Sequence, residues 1–275
     1  MPEPRLDVLL DGLLFPESPR WHAGRLWLSE KRAGRVLALG LDGSVETVVH
    51  VDGEPGGLGW LPDGSLLVVS MAHRSVLRLV ADGALHTEAD LSGLTTCRCN
   101  DMVVGPTGNA YVGDFGYDLL GGAPPAPGVL VVVPLGGEPR IAADDLHFPN
   151  GCVITPDGAT LIVAESAANR LTAFSISDDG GLDDRRVFAD LGTVVPDGIC
   201  VDAEGAVWVA DPLGNAIVRV ADGGEVLDRI TTGQGAFACE LGGDDGRTLF
   251  VCTYDAAASA SPTPTPVGRV EIVRV

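Results

Sequence analysis

Short apolar runs, each entered through a turn glycine, recur along the chain. They read GRLWLSE (24–30), GSLLVVS (64–70), GNAYVGD (108–114), GATLIVAE (158–165), GAVWVAD (205–211) and GRTLFVC (246–252). Their central residues Trp27, Leu67, Tyr111, Ile162, Trp208 and Phe250 lie 40, 44, 51, 46 and 42 positions apart. Apolar runs of this length bounded by Gly, Asp and Pro predict short strands. A second apolar strand follows each one (RVLALGL, SVLRLVA, GVLVVVP, RLTAFSI, AIVRVAD, GRVEIVRV), and another apolar segment leads in. A four-stranded antiparallel unit repeated about every 40–50 residues predicts a β-propeller. Six units fill residues 1–275, so the expected fold is all-β: one six-bladed propeller domain of four-stranded antiparallel blades. The N-terminal stretch PRLDVLL is expected to pair with the last blade, closing the ring and removing a free edge. Two Pro-, Ala- and Thr-rich insertions, GGAPPAPG (121–128) and DAAASASPTPTPVG (255–268), break the rhythm. They cannot add ladder strands and are expected as loops, either surface loops or lids over the channel.

The repeat also locates candidate chemistry. Eight residues before the turn glycine stand Gly56, Asn100, Asn150, Asp197 and Ala238, and Glu17 lies seven before Gly24. In a propeller this slot begins each innermost strand and faces the central channel. Side chains at such entries also cap turns by bonding their own backbone. Coincident capping does not predict four oxygen-bearing residues in one slot with the other two nearly bare. Carboxylate and amide oxygens from separate strands suit a hard divalent cation, with water completing its shell. Gly56 and Ala238 would leave room for water and substrate, while Pro149 and Gly151 would fix the backbone that aims Asn150.

Composition narrows the partners. The formal net charge of −20 disfavours nucleic acid and anionic membranes, which bind clustered Lys and Arg. The expected partner is a small-molecule substrate, bound by a monomer or homodimer. Six cysteines without a C-x-x-C pair give no sign of zinc or redox work, and a chain this long does not need disulfides. The N-terminus lacks a basic start with an apolar stretch, and no run is long enough to span a membrane. A reduced, cytoplasmic protein is expected. There is no G-x-S-x-G elbow, H-E-x-x-H helix or phosphate loop. Only His147 lies near the candidate site, where a packed or solvent-facing role is expected.

Four segments in order, ESPRWHAGRLWLSE around Glu17, RCND (98–101), FPNG (148–151) and PDGICVDAEGAVWVAD (196–211), give the chain a resemblance to the SMP-30/gluconolactonase/LRE-like family. The resemblance implies a six-bladed propeller with one divalent metal in the channel and, in many members, lactone hydrolysis. Residue by residue, Glu17, Asn150 and Asp197 match the family's metal ligands. Asn100 matches an asparagine that contacts the metal or its water. Arg98 matches a substrate-orienting arginine, and Asp118 falls where some members carry an acidic substrate contact. Aspartate at 118 is shorter than glutamate, and Cys97 and Cys99 flank Arg98.

The expected function is therefore hydrolysis of a sugar lactone or related cyclic ester, with Asp197 as metal ligand and general base and Arg98 holding the substrate. All-oxygen ligation argues for Ca²⁺ first, or Mg²⁺ or Mn²⁺, and Zn²⁺ also accepts carboxylates. Two other readings of the pocket stay open at this level. One is different metal chemistry, such as organophosphate hydrolysis or a cyclisation or isomerisation. The other is a non-catalytic scaffold tied together by its ion.

Overall fold

In the computed structural model, residues 6–259 and 263–275 are described. They form six four-stranded antiparallel sheets. Five follow chain order, spanning 16–50, 55–90, 99–146, 149–190 and 199–231, here blades 1 to 5. Blade 6 joins Gly235–Gly242, Thr248–Tyr254 and Gly268–Arg274 to the N-terminal strand Asp7–Leu13 at its outer edge. Asp7 faces Ile272 and Leu13 faces Gly268 in that last pairing. The first strands of the six blades touch one another in cyclic order and close the ring. The fold is a six-bladed β-propeller with its two chain ends paired in one blade.

Burial explains the sequence rhythm. Second strands are covered on both faces by adjacent blades, so they read as almost unbroken apolar runs. Leu28, Val68, Val112, Val163, Val209 and Val251 are all fully buried, each contributing about 1.5–3 kcal/mol through loss of apolar surface to water. Outermost strands such as Val226–Thr231 are mostly exposed. The Asp-Gly turns between first and second strands share one mechanism. Asp157 Oδ1 accepts the Ala159 N–H at 3.0 Å, and Gly158 takes a left-handed φ of 75°. Asp63 in blade 2 and Asp202 in blade 5 accept the amide two residues on in the same way, as do Asp42 and Asp82 in turns between third and fourth strands.

All six cysteines are free thiols, and all but Cys97 are buried. Residues 256–259 form one helical turn, and residues 260–262 of the second insertion lie outside the described residues. No helix among the described residues is long and apolar enough to cross a membrane.

Candidate functional site

Five of the six innermost strands enter the sheet irregularly. The pairing of first and second strands slips between Glu17 and Arg20, Pro55 and Leu58, Cys99 and Met102, Pro149 and Cys152, and Ala236 and Ala238. Such bulges take a side chain out of the regular alternation and re-aim it. Asp197 precedes its strand, Ile199–Val201, but its N–H still bonds Ala210 O at 3.0 Å. Glu17, Asn100, Asn150 and Asp197 together line one cavity of about 250 Å³.

Gly56 and Ala238 do not line it, and their small size has another cause. A Cβ on Gly56 would lie 2.5 Å from Asn100 O, and Ala238 is buried with its Cα and Cβ against Gly198. Both are small so that innermost strands can approach, not to make room for water. Gly151 has the same role: a Cβ there would lie 2.6 Å from Ile199 N, while its own N–H donates to Asp197 O at 3.2 Å. The left-handed residue in FPNG is Phe148, at φ 59°.

A hydrogen-bonded chain sets the amides. Asn100 Nδ2 donates to Asn150 Oδ1 (3.0 Å) and to Pro149 O (3.4 Å). Asn150 Nδ2 donates to Ser166 Oγ (3.1 Å), and Ser166 Oγ donates to Pro196 O (2.6 Å). Blades 3, 4 and 5 are thereby tied together at the site. Burial pushes the Glu17 carboxyl up to about 7, aided by Asp101 and opposed by Lys31 and the Ser18 amide. Burial and the adjacent Glu17 charge push Asp197 well above the ordinary carboxylate range. Lys31 stands on the turn Lys31–Ala33, after the second strand of blade 1. Burial lowers its ammonium pKa while Glu17 and Asp197 hold it up.

Arg98 also lines the cavity. Its guanidinium is paired with Glu54, and burial lowers its pKa. Asp118 does not line the cavity. It is exposed, and its Oδ1 accepts the Gly121 N–H at 2.9 Å, closing a surface turn. Residues 121–128 and the described part of 255–268 also stay outside the cavity wall; the first insertion's neighbours Leu119 and Leu120 reach it instead. Asp255, Pro266 and Val267 line a separate surface cavity. His147 is exposed, with its backbone N–H bonded to Glu165.

Two groups of site residues escaped the sequence reading. One is the aromatic wall of Phe15, Phe115, Phe148 and Phe237. The other is a set of buried acids ending the second strands, visible as the final letters of WLSE, VGD, VAE and VAD. Glu30 accepts the Leu14 N–H (2.8 Å), and Asp114 accepts that of Thr96 (3.2 Å). Glu165 accepts the N–H of His147 (2.8 Å), and Asp211 that of Val195 (3.4 Å). Each acid clamps the segment leading into Glu17, Asn100, Asn150 or Asp197.

Among the described residues, no three His, Cys, Asp or Glu side chains gather within reach of one metal ion. The donors here are two carboxylates and two carboxamides. Two desolvated carboxylates, Glu17 raising the pKa of Asp197, beside amide oxygens on rigid strands match what a hard divalent cation requires. The residues fit such an ion.

The family model for the SMP-30/Gluconolactonase/LRE-like region matches residues 15–255. A 6-deoxy-6-sulfogluconolactonase of Pseudomonas putida is 29% identical over 256 residues, covering 89% of this chain and 84% of its own. A pentonolactonase of Haloferax volcanii is 27% identical over 248 residues, covering 86% and 80%. A solved gluconolactonase structure from Xanthomonas campestris superposes with a TM-score of 0.78 at 27% identity, covering 98% of this chain and 90% of that one. The chain belongs to the SMP-30/gluconolactonase/LRE-like family.

Proposed function

We propose that the protein is a divalent-metal-dependent hydrolase of lactones or related cyclic esters. The observation that carries this reading is the pair Glu17 and Asp197: two half-buried carboxylates with raised pKa values, sharing one cavity with Asn100, Asn150 and Arg98. The family's named lactonases support the reaction class.

Glu17, Asn150 and Asp197, with Asn100, would hold the ion. Ca²⁺ suits this oxygen set best, ahead of Mg²⁺, Mn²⁺ and Zn²⁺. When bound, such an ion polarises a carbonyl and acidifies water. Asp197 takes the proton of the attacking water. The water oxygen adds to the lactone carbonyl carbon, the ring C–O bond breaks, and the proton passes to the departing oxygen, leaving an open hydroxy acid. Arg98, steadied by Glu54, orients the substrate. Ser166 keeps the Asn150 amide in one orientation.

The test is a lactone panel assayed after chelation and metal add-back, with Asp197→Asn alongside. Chelation should abolish turnover, the metal should restore it, and the variant should lose about 10²–10⁴-fold in rate. Turnover indifferent to both would refute the mechanism. Phosphotriesters in the same panel test for a different reaction. Metal-induced thermal stabilisation without turnover of any compound would indicate a scaffold.

A further inference from the structure

We infer that the substrate of this site is a neutral lactone carrying an apolar, alkyl or aryl, substituent, not a polyhydroxylated sugar lactone. This rests on the hydrolase reading above and adds the substrate class.

Beside its polar groups the cavity has a continuous apolar lining of phenyl and leucyl side chains. Phe15, Phe115, Phe148 and Phe237 come from four different blades or their connections, and Leu119 and Leu120 follow at the exposed end. Phe115 stacks on Phe148 with ring centroids 4.6 Å apart, and Phe15 meets Phe237 edge-on at 4.8 Å. Phenyl faces offer a sugar's hydroxyl groups no hydrogen-bond partners, so each hydroxyl turned toward them would lose its water without replacement. An alkyl or aryl group would gain contact with the same surface.

Two of these rings are held at a conformational cost. Phe15 has φ 86° and Phe148 φ 59°, and both precede a proline. Left-handed backbone is disfavoured for any residue with a Cβ, more so for a bulky one, and it persists only where the surrounding structure imposes it. In both blades the strain stands two residues before a predicted ligand and presents a phenyl ring to the cavity. Glu54, at φ 64° and also before a proline, occupies the matching position in blade 2.

Three cations line the cavity, and each has neighbours within the protein; the Arg32 guanidinium carbon lies 5.7 Å from the Phe15 ring centre. Arg98 is already paired with Glu54. Lys31 is balanced by Glu17 and Asp197, with its Nζ 5.3 Å from the Phe15 ring centre and 5.9 Å from that of Phe115. An anionic substituent approaching Arg98 would meet the Glu54 carboxylate beside it. An uncharged one carries no charge for that carboxylate to repel.

The experiment compares γ-phenyl-γ-butyrolactone with D-gluconolactone on the metal-loaded protein and on Phe148→Asn. Asparagine tolerates the left-handed backbone and brings hydrogen-bonding groups to the wall. We expect kcat/KM to favour the phenyl lactone by at least about tenfold, and the variant to shrink that ratio by about tenfold. Equal or better turnover of gluconolactone by the parent protein overturns the inference and leaves the hydrolase reading standing. If neither lactone turns over, the hydrolase reading fails, and calorimetry with the corresponding non-hydrolysable lactams decides the pocket separately. Tighter binding of the phenyl lactam, weakened by Phe148→Asn, supports the inference; tighter binding of gluconolactam, or binding of neither, overturns it.

Discussion

The paired carboxylates give the site a property measurable without any substrate. Glu17→Gln removes a buried charge but keeps an oxygen able to accept the Ser18 N–H, now bonded at 3.0 Å. In the fold, burial raises the Glu17 pKa from 4.5 to about 7. An acid whose folded-state pKa is raised binds its proton more tightly folded than unfolded, so stability falls as pH rises from 4.5 to about 7. Above that window the ionised carboxylate costs the fold about 3 kcal/mol, and below it nothing. Gln does not titrate, so the cost disappears. The rise in the Glu17 pKa already includes the attraction of Lys31, so the expected net gain is about 3 kcal/mol.

Urea unfolding of chelator-treated protein, near pH 4.5 and near pH 8, measures this directly. The variant should be more stable than the parent at the higher pH and equal to it at the lower. Added calcium should reverse the order, because the parent keeps the carboxylate that binds the ion and gains more from mass action. A stripped variant less stable than the parent near pH 8 would refute the account of Glu17 as a destabilising charge awaiting a cation. An equal difference at both pH values would refute it too.

Three further substitutions probe the supports of the site. Ser166→Ala removes the partner of Asn150 Nδ2 and of Pro196 O; steady-state kinetics should show kcat lowered about tenfold for about 1 kcal/mol of stability. Gly151→Ala puts a Cβ 2.6 Å from Ile199 N and should cost about 1–3 kcal/mol through forced separation of two innermost strands, read as a lowered Tm. Glu165→Ala leaves Arg170 and the His147 N–H without their carboxylate; denaturant unfolding should show a loss of about 3 kcal/mol.

Much of the fold was legible because burial imposes a period on the chain. A second strand packed on both faces needs a continuous apolar run, and the Asp-Gly turn before it needs an acceptor and a left-handed residue. The apolar run and the left-handed turn glycine recur at each blade, so the repeat reveals the propeller and the ring slot together. Glu17, Asn100, Asn150 and Asp197 were found by counting back from the turn glycine, and Arg98 through the family resemblance. The meaning of the bare slots was not legible. Gly56 and Ala238 look like space in a one-dimensional alignment, but the neighbouring strand that fills that space belongs to another blade. Asp118 came from the family resemblance alone; here its carboxylate accepts the Gly121 N–H in a surface turn, outside the cavity lining, which the linear sequence does not show. The phenylalanine wall was hidden because its members come from different slots, two of them before prolines and two elsewhere.

The acids at the strand ends connect these findings. Glu30, Asp114, Glu165 and Asp211 stand in blades 1, 3, 4 and 5, the same four that carry Glu17, Asn100, Asn150 and Asp197. In blades 2 and 6, whose slots hold Gly56 and Ala238, the strands end instead in Ser70 and Tyr254. Ser70 Oγ donates to Asp52 O at 2.6 Å, and the Tyr254 hydroxyl donates to Thr265 O at 2.8 Å. A carboxylate is an acceptor and can hold a backbone N–H of the entry segment; a hydroxyl used as a donor holds a carbonyl instead. Where a blade must aim a polar side chain into the cavity, its entry segment is fixed by a buried charge-assisted bond. Where the slot only needs to be thin, a neutral bond suffices. The aim of the four polar slots therefore depends on residues that never touch the cavity, and changes at those acids should loosen the site before they unfold the blade.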